Sequence, residues 1–238
     1  MPDPIKDTPS RIITEPTRIN GALVYDKLQS GQAINIAPLG KVEIILDEEN
    51  LGLESVTLEN LQRGWERDKD SFTQRLVLAG IRLDPFTAYK YYQIQRKTLQ
   101  VLGKPIASAG MRGERALGNN FRLSEAKGQA LCSEYAILST FIAQKIGEPA
   151  RLVIGMTPIE EEHNQWREPH AYIWLDNINA VYDPVLAENP DDLPALMLPS
   201  QGVTFDTLLH GQDVSCKQIG KDFSRNYGLE PFGFGVRL

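Results

Sequence analysis

Cys132, His170 and Asp183 lie far apart in a chain of 238 residues, yet together they are the residue types of nucleophilic acyl transfer. A thiolate attacks a carbonyl carbon, an imidazole moves the proton, and a carboxylate selects the imidazole tautomer. Cys132 opens a predicted buried helix, where unpaired N–H groups favour an anion. Gly128, just before it, permits close backbone approach. Taken alone, Cys132 reads as a small buried hydrophobe. His170 follows Pro169 and shares a strand face with Tyr172 and Trp174; taken alone, it reads as a core histidine. Asp183 falls on the next strand. If Asp176-Asn177 is a two-residue turn, His170 and Asp183 pair directly. A four-residue loop makes the pair diagonal on the same face, and an odd loop separates them. An oxyanion would be held by the backbone N–H of Cys132 and a second donor, for which Gln129 ranks ahead of Asn119 and Asn120; losing one such donor costs roughly 10²–10³ in rate. Trp166 either lines the cleft or packs as a hinge.

These residues need a scaffold. Residues 1–18 carry Pro2, Pro4, Pro9 and Pro16 and read as a flexible leader. Residues 41–46 alternate as a strand. Residues 55–83 read as two short helices, one presenting Leu58, Leu61 and Trp65, the other Phe72, Leu76 and Ala79, with Asp70 or Ser71 as the second cap. A helix runs from Asp84 as cap, through Pro85, to a stop at Gly103 and Pro105. Its Tyr89, Tyr91 and Tyr92 read as packing residues. Residues 104–128 read as a long loop. The Cys132 helix spans 131–146, apolar over most of its surface, and Gly147 and Pro149 end it. A strand over 151–156, a polar loop over 157–168, strands over 170–175 and 180–185, a short helix near 204–210 and a last strand over 232–238 follow. Helices come first and strands later, so the class is α+β. One domain over 19–238 is expected: a mainly helical part (19–127), a core (128–185) and a C-terminal extension (186–238).

Four segments carry a family resemblance. Gly128-Gln129-Ala130-Leu131-Cys132-Ser133-Glu134-Tyr135-Ala136 resembles the nucleophile segment of transglutaminase-like enzymes, a papain-like superfamily. Gly147-Glu148-Pro149-Ala150-Arg151 resembles the family's Gly-x-Pro-Ala-Arg approach to a strand. His170-Ala171-Tyr172-Ile173-Trp174 is similar to its His-Ala-Trp strand, and Tyr182-Asp183-Pro184 to its Asp-Pro motif. Order and spacing agree over residues 128–185. The resemblance implies a Cys-headed buried helix on an antiparallel sheet and a Cys132–His170–Asp183 triad. Leu131 and Ser133 replace the usual bulky neighbour of the nucleophile, so the triad is better supported than protein cross-linking.

Composition bounds the partners. Hydrophobic residues make up 42 % and charged residues 24 %, the balance of a globular protein. A net charge of −6 disfavours a general nucleic-acid binder. No apolar run is long enough for a membrane span, and no signal peptide is evident. The expectation is cytoplasmic residence, or export without a cleaved signal. Cys132 and Cys216 read as thiols. Without CxxC or HExxH, a zinc site is not expected, and neither is a cofactor. Glu160-Glu161-Glu162 reads as a solvated loop tip. The sequence leaves three functions open: a hydrolase acting on protein or peptide amides, an acyltransferase resolving the same thioester with an amine, and a binding module on an inactive scaffold. Arylamine N-acetyltransferases rank low because their Arg-Gly-Gly lead-in is absent. Oligomeric state stays open.

Overall fold

The computed structural model describes residues 15–36, 42–105, 120–161, 164–187, 189–211 and 214–229. Expectations for residues 1–14 of the leader, for Lys41, for Asn119 and for the last strand lie outside them. The class is α+β. The strands are β1 (Thr17–Ile19), β2 (Ala22–Tyr25), β3 (Ala33–Asn35), β4 (Glu43–Ile45), β5 (Asn120–Arg122), β6 (Ala150–Glu161), β7 (Asn164–Leu175), β8 (Ala180–Tyr182), β9 (Leu196–Pro199), β10 (Ser215–Gln218) and β11 (Ser224–Asn226). The helices are α1 (Leu58–Leu78), α2 (Pro85–Leu102), α3 (Cys132–Lys145) and α4 (Phe205–His210). Among the described residues, eight strands form an antiparallel sheet in the order β1-β2-β6-β7-β8-β9-β10-β11; β3, β4 and β5 form a small second sheet.

Both faces of the large sheet are buried, which explains the unbroken apolar run from Ala171 to Leu175. Strand alternation divides that run. Leu152, Ile154, Ala171, Ile173 and Leu175 face one core, shared with α2, α3 and the small sheet. Val153, Tyr172 and Trp174 face a second core, closed by Leu208, Leu209, Val214, Tyr227 and Leu229. Every residue of α3 from Ser133 to Ala143 is buried, as its nearly all-apolar surface predicts. Asp84 caps α2 by accepting the Thr87 N–H at 2.8 Å, and Gly103, with φ of 85°, ends it.

Several expectations are corrected. Residues 58–78 form one helix, not two: the Ser71 hydroxyl donates back to the Asp68 carbonyl at 2.9 Å instead of capping a new helix. The N-terminal part holds α1 and α2, and it also supplies β2 to the large sheet and β3 to β5 to the small one. β1 begins inside the stretch read as leader. The expected loop over 104–128 contains β5 and a 3₁₀ turn at Leu123–Ala126. The expected polar loop over 157–168 is instead the two arms of a hairpin, with Pro158 opposite Arg167 and Met156 opposite Pro169. β2 pairs with β6 only at Leu152, Val153 and Ile154, and β8 pairs with β7 only from Ile173 onward. Among the described residues both prolines therefore sit where no third strand pairs with theirs, the place where a missing N–H is tolerated. Among the described residues no helix is long and apolar enough to cross a membrane.

Candidate functional site

α3 ends the connection from the Leu123–Ala126 turn, and Cys132 is its first residue. Gly128 adopts φ of 76°, a left-handed conformation that glycine permits without strain. The Gln129 N–H donates to the Ala126 carbonyl at 2.8 Å, so Gln129 sits half-buried in the turn leading to Cys132. Leu131 precedes the helix and has no side-chain acceptor; Glu134, fully buried in the first turn, supplies one. Its Oε2 accepts the Leu131 N–H at 3.0 Å and the Ser133 hydroxyl at 2.8 Å. That fixes the backbone on both sides of the half-buried thiol.

The loop between β7 and β8 settles the register. Leu175 pairs with Ala180, so four residues connect the strands and the pairing is diagonal, on one face. β8 ends at Tyr182, and Pro184, which has no N–H to donate, starts a 3₁₀ turn at Pro184–Leu186. Asp183 stands at this exit, fully buried, its N–H donating to the Ala195 carbonyl at 3.1 Å. His170 Nε2 lies 2.8 Å from Asp183 Oδ2, and the Cys132 thiol lies close enough to the imidazole to favour its protonated form. With Nε2 committed to the carboxylate, Nδ1 is the ring nitrogen left for sulfur. The structure thus brings Cys132, His170 and Asp183 together.

Electrostatics follow the geometry. Burial alone would push His170 down, but the charge of Asp183, the hydrogen bond its carboxylate accepts and the nearby Cys132 thiol outweigh it and raise the imidazole to about 9. Burial pushes Asp183 up; the imidazolium, Arg225 and Tyr227 overcome that and hold its carboxyl below the usual range. Cys216 is the contrasting case: it is fully buried and its thiol is pushed up to about 12 by burial.

Trp166 lies in β7 with its backbone opposite Ile159, in the β6–β7 hairpin and not in a loop. Arg151 of β6 pairs with Asp176 in the β7–β8 loop at 2.9 Å. A cleft of about 790 Å³ between α1 and α2, lined by Arg63, Arg67, Arg96 and Lys97, contains none of the three residues. Arg67 there pairs with Asp68 at 2.8 Å. Sequence reasoning missed Arg225, in the three-residue β11, and Tyr227 just after it, which meet Asp183 from a strand too short to show a period. Comparisons with family models, with curated proteins and with solved structures give no match for this chain.

Proposed function

We propose that this protein is a cysteine-dependent acyl-transfer enzyme with a papain-like, transglutaminase-like core, acting as a hydrolase on an amide bond of a protein or peptide. The observation that carries this reading is the buried imidazole bonded through Nε2 to Asp183 at 2.8 Å, with the Cys132 thiol near enough to act on its charge. An imidazolium beside the sulfur is the counter-charge that a thiolate needs. In the proposed cycle the sulfur attacks the carbonyl carbon, and the Cys132 N–H at the helix start, aided by Gln129, holds the oxyanion. The C–N bond breaks as His170 gives its proton to the leaving amine, leaving a thioester. Water, deprotonated by His170, then attacks the thioester and releases the acid. An amine in place of water makes the reaction a transfer. No cofactor enters either route.

The test incubates the protein with amide substrates, with and without a primary amine, after selective alkylation of Cys132 in one arm. Product release blocked by alkylation supports hydrolysis, and amine incorporation supports transfer. Cys132→Ala is expected to abolish turnover while the protein keeps its thermal midpoint; retained turnover overturns the mechanism. Asp183→Asn is expected to lower kcat by about 10⁴-fold with little change in KM, because the imidazole takes the wrong tautomer.

A further inference from the structure

The carboxylate beside His170 has a second set of partners, from a segment to which the sequence reading gives no role. The Tyr227 hydroxyl donates to Asp183 Oδ2 at 2.7 Å, the oxygen that also faces His170 Nε2. Arg225 Nη1 lies 3.9 Å from the same oxygen. Tyr227 is itself held firmly. Its carbonyl accepts the Tyr172 hydroxyl at 3.1 Å, its N–H donates to the Val214 carbonyl at 3.0 Å, and its ring meets Tyr172 edge-on with centroids 5.1 Å apart. The other carboxylate oxygen, Oδ1, is buried with no hydrogen-bond partner among the described residues. A carboxylate held by one donor can rotate; two donors converging on one oxygen prevent it.

We propose that Tyr227 and Arg225 are positioning residues: they fix and charge-balance Asp183 so that its Oδ2 points at His170, and the site is incomplete until the segment after β10 docks. The proposal rests on the reading of Cys132, His170 and Asp183 as one reactive unit. The two residues divide the work. Tyr227 aims the carboxylate and keeps it ionised. Arg225 adds positive charge, which favours the carboxylate and opposes protonation of His170. The other titratable groups around the pair are Cys132 on α3, Tyr172 on β7, Tyr182 ending β8 and Cys216 on β10.

The test measures the rate of Cys132 alkylation by iodoacetamide against pH in the full chain, with Cys216 resolved by peptide mass spectrometry. Wild type is expected to show an inflection near pH 9, where His170 deprotonates. His170→Ala removes that inflection if the reading of the site holds. Arg225→Gln moves the inflection upward, because a charge opposing the imidazolium is gone. Tyr227→Phe slows labelling at neutral pH roughly tenfold, as expected when an orienting partner is lost, and moves the acid limb upward. A merely structural role would lower the thermal midpoint and leave both limbs in place. If Tyr227→Phe does not fold, Arg225→Gln decides. An unchanged profile in His170→Ala refutes the reading of the site. A changed profile there, with wild-type profiles in the Arg225 and Tyr227 variants, overturns this inference alone.

Discussion

At the scale of residues, the His170–Asp183 pair ties stability to pH. The imidazole is raised in the fold, to about 9, above the roughly 6.5 of an unfolded histidine. Its contribution is complete below the unfolded value and is lost as pH rises through about 9. Asp183 is depressed in the fold, so its contribution is present above the ordinary carboxylate range and is lost as pH falls through its folded value. The thermal midpoint is therefore expected to fall at both ends. In Asp183→Asn the alkaline fall from this pair should vanish, and scanning calorimetry across pH checks it; an unchanged alkaline fall contradicts the pairing. His170 and Asp183 were legible as a pair because strand parity depends only on whether the loop count is even. Tyr227 was not legible: its contact with Asp183 spans 44 residues and depends on where the C-terminal strands dock.

Helices with explicit start and stop chemistry were the elements read best. Asp84, Pro85 and Gly103 bound α2 as their types dictate. Replacing Asp84 by Ala removes the acceptor of the Thr87 N–H and is expected to cost about 1 kcal/mol, read as a lower urea midpoint with unchanged slope. An unchanged midpoint contradicts the capping role. Asp70 and Ser71 resemble caps and make the sequence of α1 look like two helices, yet one continuous apolar face, with Trp65, Phe72 and Leu76 against Phe86, Tyr89 and Tyr92, holds the helix together. The β6–β7 hairpin was hidden for another reason. Its outer arms are polar and carry Pro158, and interstrand pairing, which no single segment displays, defines them.

Across the whole molecule, a buried polar knot joins helices to sheet. Glu148, just after α3, is 8 % exposed and takes hydrogen bonds from Lys90 and Tyr91 of α2 and from Asn177 of the β7–β8 loop. The same loop sets the register that aligns His170 with Asp183. Glu148→Ala leaves Lys90 charged and largely buried, 12 % exposed, and is expected to cost about 3–5 kcal/mol. Chemical denaturation measures it; a loss under about 1 kcal/mol would place the pair among surface bridges. The α+β class was legible from segments of both periods, although β1 to β4 precede the first helix and break the expected order of helices before strands. The way strands from both ends of the chain flank the central hairpin was not, since β2, β9 and β10 are too short to declare their neighbours.

The central claim is that Cys132, His170 and Asp183 share protons as one unit, and NMR titration of the His170 imidazole tests it most directly. The chain has three histidines, so a His170→Gln spectrum assigns the signal. The account predicts that His170 stays protonated until about pH 9 in wild type, and titrates lower once Cys132→Ala removes the thiol. A midpoint at the ordinary histidine value, roughly 6.5, in both proteins would contradict it.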